Sequence, residues 1–255
     1  MMKLTRYVLY DILRNRIVIL YALFLLIITA GLFQVEENSS KAILSLLTVV
    51  LTVLPLVSLI FTTIHYYNSY EFIELMLAQP LSRTRVLFSE FGGLTLSLLG
   101  AFWLGVGIPV LIYSPDAVGL SLLVTGSLLT LIFISMALFT SIYSKDKARG
   151  IGLALLIWFY FTLIYDGLLL MLLFVLSDYP MEKITLLLSA LNPIDLARIA
   201  IMLKMDVSAL MGYTGAVYKN FFGSTYGTLF TLIILVLWAA LPLGLAQRKF
   251  LRKDM

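Results

Sequence analysis

Long apolar runs alternate with short polar breaks along this chain. A helix rises about 1.5 Å per residue, so crossing about 30 Å of hydrocarbon takes roughly 20 apolar residues. Six stretches reach that length, at 17–35, 42–64, 91–113, 118–143, 151–176 and 225–246. The breaks EENSSK (36–41), SPDA (114–117), SKDKAR (144–149) and QRKFLRKDM (247–255) close several of them. The first run is expected to be a span and not a cleavable signal peptide, because it is too long and no small-residue cleavage site follows it. The pattern predicts an all-α integral membrane protein of six transmembrane helices, a single membrane domain over residues 1–255.

Three further pieces carry helical signals without crossing. In residues 1–16, Leu4, Tyr7, Val8 and Ile12 fall at i, i+3, i+4 and i+8, with Lys3, Arg6, Arg14 and Arg16 mostly off that stripe. This predicts an amphipathic elbow helix on the membrane surface, the alternative being an extension of the first span into water. Between the second and third runs, an acidic start (Glu71, Glu74) leads into Leu75, Met76 and Leu77, then Gln79-Pro80 and a basic turn at Arg83 and Arg85. Pro80 disfavours helix at Gln79, which predicts a short helix from about 70 to 78. One or two turns are not stable alone in water, so this helix needs a dock, either lipid headgroups or a cleft on a partner. The 48 residues from 177 to 224 are too many for a simple connector. Within them Asn192 is a good N-cap, Pro193 suits the first helical position and Asp195 the first turn. The helix is expected to run to about Lys204, with Ile194, Ala197, Ile201 and Leu203 or Met205 inward. Asn192, Asp195, Arg198 and Lys204 are then candidates for contact with a partner outside the membrane, the alternative being a helix that only caps the bundle.

Composition makes the membrane reading firm. Hydrophobic residues are 61% of the 255 and charged ones 13%, with mean hydropathy +1.02, against about 45–50% and about 25% in soluble domains. The absence of Cys excludes Cys-based zinc sites, iron–sulfur clusters and redox dithiols. One histidine, His65, cannot form a multi-histidine metal centre, and at the inner end of the second span it is expected to be an interfacial polar residue. Basic residues set the orientation. With the N-terminus cytoplasmic, that side holds Lys3, Arg6, Arg14, Arg16, Arg83, Arg85, Lys145, Lys147, Arg149, Arg248, Lys249, Arg252 and Lys253, thirteen of the 18 Lys and Arg. Both termini are therefore expected in the cytoplasm. No GxxxxGK[ST] loop is present, and no exposed basic module for nucleic acid.

The segment ELMLAQPLSR (74–83) after the second of six spans resembles the coupling segment of ABC-2 type transporter permeases. The elbow before the first span and the helical loop before the last fit the same layout. That resemblance implies a permease that pairs with a second copy and binds a separate cytoplasmic ATPase, which holds ATP and Mg while this chain binds no cofactor. Glu71, Glu74 and Arg83 would then touch the ATPase, with Gln79 and Pro80 shaping the helix end. WFYFTLIYDGLLLMLL (158–173) and LNPIDLARIAIMLKMDVSALMG (191–212) are similar to the NosY-type permeases of nitrous-oxide-reductase maturation systems. This implies a bacterial inner-membrane homodimer, a periplasmic copper-handling partner, and a role in assembling that enzyme's copper sites. A generic ABC-2 exporter of lipid, drug or polysaccharide is the alternative.

Asp166, beside Tyr165, is the ionisable residue deep in a span. An aspartate there costs about 2.5–3.5 kcal/mol on insertion scales, so it is expected to line a path or dimer seam, or to make a structural hydrogen bond. No second buried acid is evident to build a proton relay. Met171, Met181, Met202, Met205 and Met211 cluster in sequence, and thioethers suit Cu(I), although Met is equally an adaptable apolar filler. Among these, Met202, Met205 and Met211 are the copper candidates. Pro55 and Pro109 are expected to kink their spans, and Gly223 with Gly227 makes a GxxxG.

Overall fold

The computed structural model describes residues 2–36, 38–144, 146–175, 187–205 and 225–252. Among these, six helices are long and apolar enough to cross a membrane. Helix α1 (Met2–Leu13) precedes α2 (Arg16–Val35), the first span. The second span is α3 (Ser39–Asn68), followed by the short α4 (Tyr70–Leu77). Span α5 (Arg83–Tyr113) contains a π-helical turn at Trp103–Gly107. Span α6 (Ala117–Tyr143) precedes α7, which starts at Lys147, passes through a π-helical turn at Tyr160–Ile164 and ends at Val175. Helix α8 (Pro193–Met202) lies between the last two spans, and α9 (Thr225–Arg252) is the sixth span.

Asparagine and aspartate side chains start four of the spans. Asn15 accepts from Ile17 N, Asn38 from Ser40 N, Asp116 from Gly119 N and Asp146 from Arg149 N, satisfying N–H groups that helices leave orphaned. Several helices extend past the apolar runs that announce them: α3 to Asn68, α5 back to Arg83 and α9 on to Arg252. Hydrophobicity marks the apolar stretch of a helix and not its polar ends.

Span α6 is the centre of the bundle, with α3 and α9 packed along it. Its Leu129, Ile132, Phe133, Ile134, Ala137 and Leu138 are fully buried. Helix α1 lies against α5, where Val8 and Ile12 are buried. Gly93 makes this approach possible, because a Cβ there would run into Val8. The side chains of Leu4 and Tyr7 lie outside the described residues.

Pro55 lies inside a continuous α3. Pro109 lies two residues beyond the π-helical turn of α5. Proline cannot donate to the i−4 carbonyl and its ring clashes there, and a widened turn relieves that conflict. The same turn brings Gly105 against α2, where a Cβ would lie 2.6 Å from Leu25 Cβ and 2.8 Å from the Ala22 carbonyl oxygen.

Candidate functional site

The two ends of the bundle differ in chemistry. At the end where α9 finishes at Arg252, α4 buries Ile73 and exposes Glu71, Glu74 and Leu75, the last at 68%. Glu71, Glu74, Leu75 and Ala78 fall at i, i+3, i+4 and i+7, so they form one stripe with acids beside an apolar contact. The helix ends at Leu77, ahead of the breaker Pro80, and Gln79 and Pro80 are exposed just beyond it.

The helix is anchored from behind. His65 Nε2 lies 3.3 Å from Glu90 Oε2, both groups buried, and Ser69 Oγ is 3.4 Å from the same nitrogen. These residues, with Val8, Asp11, Asn68 and Phe72, line a polar cavity of about 220 Å³ where α1, α3, α4 and α5 meet. His65 is therefore a buried partner of Glu90 and not an interfacial side chain. Sequence reading missed Glu90 because it precedes the apolar run at 91, although it lies two turns inside α5. Arg83, expected to face a partner, is engaged within the chain. Its Nη1 donates to the carbonyls of Phe250 and Leu251 at 3.4 and 3.3 Å, so it caps the last turn of α9.

At the opposite end, α8 is built into the bundle. Asn192 Oδ1 accepts from Ile194 N at 2.9 Å, the N-cap its sequence predicts, while Nδ2 donates to the Phe161 carbonyl at 2.9 Å. That carbonyl belongs to the π-helical turn of α7. Tyr165 OH donates to the Leu188 carbonyl, and Trp238 Nε1 to the Ala190 carbonyl at 3.0 Å. Arg198 Nη1 bridges two acids, 2.7 Å from Asp166 Oδ2 and 3.0 Å from Asp195 Oδ1. Asp195 is 5% exposed, and Asp195 Oδ2 and Asp166 Oδ1 have no hydrogen-bond partner. Burial, then the neighbouring Asp166, pushes the Asp195 carboxyl up to about 7, with Arg198 and Asn192 pulling the other way.

These contacts revise the outer-partner set. Asn192 and Asp195 are buried, and Arg198 turns toward Asp166, which leaves Lys204 as the exposed member. The physical reason is that a helix start needs its cap and first-turn acid turned toward its own backbone and cation. Asp166 also has the second buried acid that the sequence did not disclose, because the two lie 29 positions apart. Ile194, Ala197 and Ile201 are buried as expected. Met202 and Met205 pack against the core, and Met171 is exposed on α7. Met181, Met211 and Gly223 lie outside the described residues. Among the described residues no three of His, Cys, Asp and Glu gather into a metal-holding group.

A family model described as "ABC-2 family transporter protein" matches residues 72–255. The chain is 28% identical over 266 residues to a protein of Pseudomonas aeruginosa named "Probable ABC transporter permease protein NosY", covering 96% of this chain and 95% of that one. It is 29% identical over 212 residues to the Stutzerimonas stutzeri protein of the same name, covering 74% and 76%.

Proposed function

The chain belongs to the ABC-2 transporter family, and on that premise we propose that it is the membrane subunit that carries the work of a separate ATPase from one end of the bundle to the other. The exposed stripe of α4 is the observation that supports this most directly. A short helix with Glu71, Glu74 and Leu75 outward suits insertion into a groove on a partner, with the apolar residue as anchor and the acids selecting a basic rim. In this reading the end carrying α4 faces the cytoplasm, as the Lys and Arg distribution favours. ATP and Mg are held by the partner, and this chain binds neither.

Force applied to α4 has a rigid route inward. Ile73 is buried beneath it, His65 and Glu90 join α3 to α5, and Arg83 ties the loop to α9. Rigid spans carry that displacement to the other end, where α8 rides on α7 through Asn192, Tyr165 and the Asp166–Arg198 pair. The working unit is a homodimer, with the scarcely buried α7 as the face offered to the second copy. The names of the two relatives and the segments at 158–173 and 191–212 support a place in nitrous-oxide-reductase maturation, with a periplasmic copper-handling protein acted on at the outer end.

The test reverses charge on the stripe. Glu71→Lys with Glu74→Lys should leave membrane insertion and thermal stability intact while reducing ATPase co-purification at least about tenfold, as expected for loss of hydrogen-bonded charges at an interface. Unchanged co-purification overturns the role of α4.

A further inference from the structure

Spans α6, α7 and α9 line an apolar cavity of about 630 Å³, whose walls include Phe139, Phe161, Trp238, Leu241, Pro242 and Leu245. Along α9 the lining runs from Phe230 to Leu245. At 1.5 Å per residue this is about 22 Å, longer than the hydrocarbon of one leaflet at about 15 Å. Lys249 stands one turn beyond Leu245, its Nζ 5.5 Å from the centre of the Tyr143 ring. Tyr143 packs on Phe139 of the lining, with ring centres 4.6 Å apart. The cation therefore stands at the foot of the slot. Arg248 and Arg252 are exposed on the same helix, which has no acidic residue, and the nearby Asp146 is bonded to Arg149 at 3.2 Å.

We propose that this slot holds one acyl chain of an anionic phospholipid, with the lipid phosphate on Lys249. A dry slot ending at a cation matches a lipid, whose apolar chain and charged head are separated in the same order. The basic residues repel the ammonium of a zwitterionic head and favour a phosphate without one. Like charge also disfavours a second copy as occupant. Two-fold symmetry through the slot brings Lys249, Arg248 and Arg252 toward their own counterparts, with no acid on α9 to offset them. The inference rests on membrane crossing alone and is independent of the ATPase.

The experiment is native mass spectrometry of the protein after equilibration with vesicles of equal phosphatidylglycerol and phosphatidylcholine. Phosphatidylglycerol should be retained about fivefold over phosphatidylcholine, one lysine's share of attraction to an anionic head. Lys249→Gln should diminish that preference and Lys249→Arg keep it. Leu241→Trp, which fills the slot, should lower retention of both lipids, and thermal unfolding confirms that the variants are folded. Equal retention by the unaltered protein, or an undiminished preference in Lys249→Gln, overturns the site. Because the chain has no cysteine, Leu241→Cys also tests the rival occupant. A copy-to-copy disulfide there on mild oxidation places a second copy in the slot and overturns the lipid.

Discussion

Arg198 has one guanidinium for two carboxylates, and each acid keeps one oxygen without a partner. Removing the cation leaves two adjacent acids in a largely apolar setting. Arg198→Ala is expected to cost about 1–3 kcal/mol, less than for a fully buried pair because solvent still reaches the guanidinium. Thermal unfolding in detergent checks it, and an unchanged midpoint refutes the bridge. The Asp195 carboxyl, raised to about 7 in the folded chain, makes this junction pH-sensitive. Its folded value lies above its unfolded one, so its contribution is fully present below about 4 and is lost as pH climbs through about 7. Asp195→Asn should flatten that part of the stability profile between about pH 4 and 7. A variant profile parallel to the unaltered one would contradict the assignment.

Among the elements, a close approach at Gly105 governs how α2 sits on α5. At Gly105 a Cβ would meet Leu25 and the Ala22 carbonyl below ordinary contact distance. Gly105→Val should therefore destabilise the protein by about 1–3 kcal/mol, the usual range for overpacking, measured again by thermal unfolding. No loss of stability would mean that the contact is slack. The six spans, α4 and α8 were legible in the sequence because each carries a local signal: an apolar run, a proline stop, or the Asn192-Pro193 cap. The π-helical turns were not, since hydrophobicity is blind to a change of helical pitch. Nor was the pairing of His65 with Glu90 or of Asp166 with Asp195, because both depend on which helices become neighbours. Arg83 shows the same limit: its charge suggested a partner, while packing gave it the carbonyls at the end of α9.

For the molecule as a whole, the ion pairs among the described residues lie toward the two ends, while the middle is mainly apolar and joined by neutral hydrogen bonds from Trp158 to the Thr52 carbonyl and from Trp103 to Ser127. Such a bundle suits transmission along its length. On the proposed function, this transmission begins at an ATPase docked on α4, in an assembly of two copies. Native mass determination of the tagged protein, purified in mild detergent from cells that make its partners, is the decisive measurement. Two copies of this chain with two ATPase subunits are expected, with an outer-face protein in addition if the maturation role holds. Recovery with ATPases but no outer protein favours a generic exporter, whereas a species lacking any ATPase overturns the proposed function.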